Sequence, residues 1–194
     1  MPDLAAGIAR FQRDVFPVRE KLFARLATHH GPHTLFIGCS DARVVPELIT
    51  GSEPGELFVL RTAGNLVPAY APGADAVAAG IEYAVAVLGV TDIVVCGHSA
   101  CGAMTALARG QDLSTAPAVA DWLRYADAAL ARTPGGDVDA LVRHNVPTQL
   151  SNLATHPSVA RALAQRTLTL HGWVFDIATG RVERLDGPGA APAA

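Results

Sequence analysis

Short apolar runs that alternate with helical patterns restrict the folds open to this chain more than any other feature. Three runs rich in β-branched and aromatic residues are typical of buried strands, over residues 34–38, 57–61 and 92–97. Helical patterns fall between them, over residues 44–50 and 75–88. Because βαβ units build parallel sheets covered by helices, the pattern predicts an α/β fold with a central, mainly parallel β-sheet and flanking helices.

The chain on either side of this core is also patterned. Residues 3–28 predict two amphipathic helices interrupted at Pro17, which make residues 1–30 an N-terminal helical arm. Such an arm either caps the sheet or lies across a partner chain, and the sequence leaves both open. After the third strand the sequence predicts helices over residues 103–109, 117–131 and 140–155 and a short helix from Pro157. Residues 167–176 and 181–185 then predict a terminal hairpin or edge strands. We expect a single domain over residues 1–186 and a flexible tail over residues 187–194.

Composition and charge exclude several classes of protein. A length of 194 residues suits one domain, and a net charge of -3 gives no electrostatic footprint for nucleic acid or an anionic membrane. No apolar run approaches the ~20 residues needed to span a bilayer. The first residues lack the basic start and apolar middle of a secretory signal. Three cysteines fit a reducing compartment better than a disulfide framework, so we expect a cytoplasmic protein.

Three potential metal ligands lie directly after predicted strands. Cys39 follows the first strand, and the pair His98-x-x-Cys101 follows the third. Because the carboxyl ends of parallel strands lie at one edge of a sheet, we expect these side chains to come together there. Two thiols and one imidazole favour zinc, and three protein ligands leave the fourth position open for water or substrate. Cys96 lies inside the strand run, so we expect it to be a core thiol.

An acid and a guanidinium beside the first thiol indicate catalysis rather than a purely structural metal. Asp41 is placed to accept the proton of a zinc-bound hydroxide and aim its lone pair, and Arg43 to hold Asp41 by a two-point contact. Two alternatives remain. Asp41 can be a fourth zinc ligand that closes the shell, or it can cap the helix that begins near Val44.

The Cys39-x-Asp41-x-Arg43 and His98-x-x-Cys101 motifs resemble the signatures of the β-class carbonic anhydrases, in the same order and context. The resemblance covers nearly the whole chain and is greatest to bacterial members associated with cyanate metabolism. Further similar segments are residues 53–58, 61–65, 82–84, 97–102, 122–126, 155–159 and 171–176.

This resemblance implies a lyase that hydrates carbon dioxide reversibly to bicarbonate and a proton through zinc-bound hydroxide. It implies a zinc ion held by Cys39, His98 and Cys101, and a homodimer or dimer of dimers with the arms lying over the neighbour. Besides carbon dioxide, bicarbonate and further copies of the chain, no nucleic-acid or membrane partner is expected. The residues implied for the substrate pocket are Phe58 and Tyr83 as an aromatic wall, Ala63 and Gly102 as lining, and His30.

Two positions depart from patterns seen in the family. His30 stands where many members have a glutamine that hydrogen-bonds bicarbonate, nine residues before the first zinc cysteine. We hypothesise that its imidazole both orients bicarbonate and relays protons, although a plain surface histidine is an equal alternative.

Phe36 stands where another subgroup has a tryptophan in an inhibitory bicarbonate site, so we predict no such inhibition and an open metal position.

Two rival functions remain open at this point. The same fold and zinc set also serve hydrolysis of carbon disulfide or carbonyl sulfide, which would require a narrowed or extended entrance. A non-catalytic zinc scaffold is the rival from another class, and the Asp41-Arg43 pair disfavours it.

Overall fold

The computed structural model describes residues 3–73 and 75–185, which form two compact units, residues 3–31 and residues 32–185. The second unit contains a five-stranded sheet in the order β2-β1-β3-β4-β5. Its strands are β1 Thr34–Cys39, β2 Leu57–Thr62, β3 Asp92–His98, β4 Thr169–Phe175 and β5 Val182–Leu185. The first four strands pair in parallel, and β5 pairs antiparallel with β4. The predicted mainly parallel α/β sheet is therefore confirmed.

The helices of this unit lie near the predicted positions in the sequence, but several begin or end at other residues than predicted. They are α3 Pro46–Thr50, α4 Ala76–Glu82, α5 Gly102–Ala108, α6 Pro117–Leu123, α7 Asp127–Leu130, α8 Val138–Leu153 and α9 Pro157–Ala164. The helix predicted over residues 75–88 changes from α to π geometry at Tyr83–Val87. The helix predicted over residues 117–131 is broken by a 3-10 turn at Arg124–Ala126, so a single long helix there is wrong.

The hydrophobic core lies mainly on one face of the sheet. Leu35 and Ile37 of β1 and Ile93 and Val95 of β3 point into it and are fully buried. Because side chains alternate along a strand, Phe36 and Cys96 lie on the opposite face, in a smaller apolar cluster. The predicted core position of Cys96 is confirmed, and burial raises the pKa of its thiol to about 12.

The first unit is a helical arm made of α1 Leu4–Arg10 and α2 Phe16–Leu26, joined by a π-helical turn at Phe11–Val15. Pro17 lies in the first turn of α2, where a backbone N–H would have no partner within the helix. Its missing N–H therefore costs the helix nothing, and Pro17 interrupts the helical path less than the sequence predicts. None of the described residues of α1 or α2 is buried. None of the helices in the described parts of the chain has the length and apolar composition of a membrane-spanning segment.

Candidate metal centre

The sheet topology brings the three predicted ligands to one place. Cys39 is the last residue of β1 and His98 the last residue of β3, and these strands are hydrogen-bonded neighbours. Because β2 lies on one side of β1 and β3 on the other, the chain order reverses between β1 and β3. Open α/β sheets bind ligands at this switch point, beyond the carboxyl ends of the strands.

A tight turn returns Cys101 to the same point. Ala100 adopts a left-handed conformation with φ +53°, which costs a non-glycine residue roughly 1–2 kcal/mol. Cys101 follows with extended backbone and precedes α5. The turn thus returns Cys101, which is three residues after His98 in the sequence, to the end of β3.

The sulfur atoms of Cys39 and Cys101 and one ring nitrogen of His98 all lie within 4.8 Å of one another. The three side chains are buried, with exposures of 6%, 1% and 0% respectively. His98 Nδ1 donates to the carbonyl oxygen of Ser99 at 2.9 Å, which fixes the tautomer and leaves the Nε2 lone pair free. Among the described residues Nε2 is buried without a hydrogen-bond partner, as expected of an atom that binds a metal.

The two thiols interact directly, and this interaction shifts their pKa values in opposite directions. The S–H of Cys101 donates to Cys39 and lowers the pKa of Cys39 to about 4, against the opposing effect of burial. The same interaction, together with burial, raises the pKa of Cys101. Because thiolate is the form that binds metal, the lowered pKa of Cys39 favours metal binding. Two thiolates and a neutral imidazole at this spacing fit zinc.

Asp41 and Arg43 form the predicted two-point pair beside these ligands. Arg43 Nε donates to Asp41 Oδ1 at 2.9 Å and Nη2 to Oδ2 at 2.7 Å, while Nη2 also donates to the carbonyl of Ala100 at 3.0 Å. Asp41 Oδ2 lies 3.9 Å from His98 Nε2. The guanidinium holds the pKa of the Asp41 carboxyl well below its usual range. Asp41 therefore stays an ionised acceptor directly beside the metal ligands.

The alternative in which Asp41 caps the following helix is wrong. The residue before α3 is Val45, and no side chain caps that helix. Asp41 Oδ1 accepts instead from the backbone N–H of Arg43 at 2.9 Å, which closes a turn within the loop.

Arg61 contacts the loop that carries Cys39 and Asp41, and the sequence reasoning did not single it out. Its guanidinium donates to the carbonyl oxygens of Cys39 at 3.1 Å, Val44 at 2.7 Å and Asp41. These bonds hold the whole Cys39–Val44 loop in shape, so Arg61 positions both a metal ligand and the acid. The sequence signals were a charge near the end of an otherwise apolar strand and the similarity of residues 61–65 to the family.

The remaining predicted pocket residues occupy several elements. Phe58 lies on β2 and its ring centroid is 5.9 Å from that of Tyr83, which is 45% exposed. Ala63 lies in the 3-10 turn after β2. Gly102 begins α5, and a Cβ there would meet no atom within 4 Å, so it borders open space. His30 is exposed at the end of the arm unit.

The chain is similar to several known proteins. The carbonic anhydrase family model matches residues 34–182. A carbonic anhydrase of Pseudomonas aeruginosa is 59% identical over 96% of this chain and 88% of its own length. Among solved structures, the β-carbonic anhydrase CcaA superposes with a TM-score of 0.89 at 40% identity, covering 94% of this chain and 93% of that chain. One of two tetrameric β-carbonic anhydrases from Sordaria macrospora superposes with a TM-score of 0.76 at 34% identity, covering 97% and 94%.

The motif order, the mainly parallel sheet, the buried thiol-imidazole cluster and these similarities all lead to one assignment. The chain belongs to the β-class carbonic anhydrase family.

Proposed function

We propose that this chain hydrates carbon dioxide reversibly to bicarbonate and a proton, with zinc as cofactor and with Asp41 and Arg43 organising the reaction. Cys39, His98 and Cys101 would hold the metal. The observation that carries the proposal is the Asp41-Arg43 pair directly beside this cluster, with Asp41 Oδ2 3.9 Å from His98 Nε2. When bound, zinc supplies Lewis acidity that generates a nucleophile from water near neutral pH.

Asp41 orients the nucleophile in this proposal. Arg43 occupies both lone pairs of Asp41 Oδ1, through its Nε and its backbone N–H, and one lone pair of Oδ2 through Nη2, so Oδ2 keeps a lone pair for an incoming O–H. Because the pKa of Asp41 is lowered, the carboxylate does not take the proton itself but holds the O–H in one orientation. The lone pair of the nucleophile's oxygen is then directed at the carbon of carbon dioxide.

Carbon dioxide is small, linear and uncharged, and it requires an apolar pocket. Phe58 and Tyr83 supply an aromatic surface, and Ala63 and Gly102 leave space next to the ligands. His30 would bind bicarbonate and transfer the released proton to solvent. These roles follow the family resemblance and the side-chain types.

The arm supports a homodimer or a dimer of dimers. Apolar residues recur along it at spacings of three and four, which is the pattern of a helix-helix contact: Leu4, Ile8, Phe11, Val15 and Val18. All five are exposed within the single chain, up to 79% for Leu4 and 81% for Val18. A second copy of the chain would cover this stripe.

Three free cysteines, all buried, support a reducing cytoplasmic location.

Stopped-flow carbon dioxide hydration combined with a zinc assay tests the proposal. We expect about one zinc per chain, rapid hydration, and loss of both in Cys39→Ser. Hydrolysis of carbon disulfide or carbonyl sulfide without hydration of carbon dioxide would identify the rival enzyme. Bound zinc with turnover of none of these substrates would identify a scaffold. Either of the last two results contradicts the proposed function.

A further inference from the structure

We propose that Trp122 and Asn145 are positioning residues for the zinc thiolate of Cys39, acting through the two peptide groups that flank Gly64. The inference rests on Cys39 being a zinc ligand, as proposed above. It concerns the hydrogen bonds that the sulfur accepts from the protein rather than the metal ligands themselves.

The first step of the argument is a hydrogen bond to the sulfur. The backbone N–H of Gly64 donates to Cys39 Sγ at 3.4 Å in a buried environment. Such a bond draws electron density from the thiolate, so the sulfur donates less charge to a bound cation and the metal remains more acidic. Two thiolates neutralise the charge of zinc and so make it less acidic than zinc at an all-histidine site. A hydrogen bond that reduces the charge donated by one sulfur offsets part of this loss.

The second step concerns the peptide group that makes this bond. The N–H of Gly64 and the carbonyl of Ala63 belong to the same peptide. The indole Nε1 of Trp122 donates to that carbonyl at 2.9 Å. Hydrogen bonds in series polarise one another, so the indole strengthens the donation from Gly64 to the sulfur. Trp122 thus acts on Cys39 without touching it.

The third step concerns the next peptide. Asn145 Nδ2 donates to the carbonyl of Gly64 at 3.0 Å, and Asn145 is itself 1% exposed. Gln149 Nε2 donates to Asn145 Oδ1 at 2.8 Å and thereby fixes the orientation of the amide. Gln149 Oε1 also accepts from the N–H of Val67 at 2.8 Å. One face of α8 therefore holds the segment from Gly64 to Val67 by buried amide contacts.

This segment needs external support because its backbone is unusual. Gly64 has φ +70° and Asn65 has φ +50°, so two consecutive residues lie in the left-handed region. Such a conformation persists only where surrounding contacts determine it. Packing contributes as well, since a Cβ on Gly64 would lie 2.9 Å from Met104 Cε and 3.1 Å from Ala103 Cβ.

Trp122→Phe tests the proposal, because it keeps a ring and removes the indole donor. Trp173→Phe is the matched control, since Trp173 packs against Phe36 in the apolar cluster on the other face of the sheet. In the cobalt-substituted protein we expect the sulfur-to-metal charge-transfer band of Trp122→Phe to move to lower energy. We expect zinc transfer to a chromophoric chelator to become about tenfold faster, because the loss of the positioning contact outweighs the stronger charge donation from the sulfur. Trp173→Phe should match the wild type in both measurements.

An unmoved band in Trp122→Phe would overturn the proposal, even with faster zinc release, because general loosening alone does not change the charge on the sulfur. If Trp122→Phe does not fold, Asn145→Ala takes the same two measurements and is expected to change both in the same direction. A wild-type protein whose cobalt spectrum lacks thiolate bands would overturn the ligand assignment and this inference together. Normal wild-type bands with an unmoved variant overturn the inference alone.

Discussion

At the scale of single residues, two cysteines of the same chain behave in opposite ways. The pKa of Cys39 is lowered to about 4 because Cys101 donates a hydrogen bond to it, whereas apolar burial raises the pKa of Cys96 to about 12. Both are buried, so burial alone does not decide which thiol binds metal. The neighbouring ligands do, since the sulfur of Cys39 lies within 4.8 Å of Cys101 and His98, whereas Cys96 belongs to no such group among the described residues.

Cys39→Ser is expected to lose zinc and carbon dioxide hydration together, because a hydroxyl is a poor replacement for a thiolate ligand. His98→Ala should do the same. Cys96→Ser serves as the control, since Cys96 does not belong to the metal cluster. Zinc content by atomic absorption and hydration rate by stopped flow measure both properties. Full zinc content in Cys39→Ser would refute the ligand set.

His30→Gln is expected to change the pH-rate profile and slow proton transfer, because glutamine preserves a hydrogen-bond donor but does not titrate. His29→Gln is the matched control, since it removes the adjacent exposed imidazole. Hydration rates at several buffer concentrations separate proton transfer from the other steps. Identical profiles for the wild type and His30→Gln would exclude the relay.

At the scale of elements, the site depends on contacts between segments far apart in the sequence. Asn145 on α8 reaches Gly64, and Arg61 on β2 reaches the Cys39–Val44 loop. These contacts support loop segments near the metal ligands that have no regular secondary structure of their own. The loops at the carboxyl edge are therefore held by side-chain to backbone hydrogen bonds from neighbouring elements.

Gly64→Ala is expected to lower the free energy of unfolding by roughly 1–3 kcal/mol more than Gly51→Ala does. Both glycines have similar positive φ values, +70° and +66°, so the strain of the left-handed conformation is matched. An added Cβ meets Met104 and Ala103 at Gly64 but nothing within 4 Å at Gly51. Urea unfolding at equal protein concentration measures the difference. Equal losses would show that the segment adapts to the added methyl group.

The sequence predicted the strands well and the supporting contacts poorly, for physical reasons. Strand ends were predicted to within one or two residues because buried parallel strands are continuous apolar runs, and Cys39 and His98 terminate two of them. The break at Arg124–Ala126 carries no glycine or proline and was missed. The contacts of Trp122 and Asn145 with the segment after β2 span 59 and 81 residues, and helical periodicity holds no information about such pairs.

At the scale of the whole molecule, the arm carries an apolar stripe that the single chain leaves exposed. Phe11, Phe16 and Phe23 pack on one another with ring centroids 5.5 to 6.2 Å apart. Even so, none of the described residues of α1 or α2 is buried within the chain. Such a surface favours association with another copy over a stable isolated monomer.

The double variant Ile8→Glu/Val18→Glu is expected to reduce the molecular mass in solution, because charges in an apolar helix contact lose hydration without gaining partners. Gln12→Glu adds negative charge at an exposed polar position of the arm and should leave the mass unchanged. Light scattering at several concentrations measures the mass. An unchanged oligomer in the double variant would show that the stripe is not the contact surface.

The division of labour between metal ligands and the Asp41-Arg43 pair is the central claim, and Asp41→Asn tests it most directly. The variant keeps the size of the side chain but loses the charge that Arg43 binds and the second acceptor oxygen. Asp112→Asn, at an exposed loop carboxylate bonded to Ser114, is the control. With zinc content and stopped-flow hydration measured on the same samples, we expect Asp41→Asn to keep its zinc and to lose at least about 100-fold in kcat/KM. Full zinc with wild-type turnover, or loss of the zinc itself, would contradict the account.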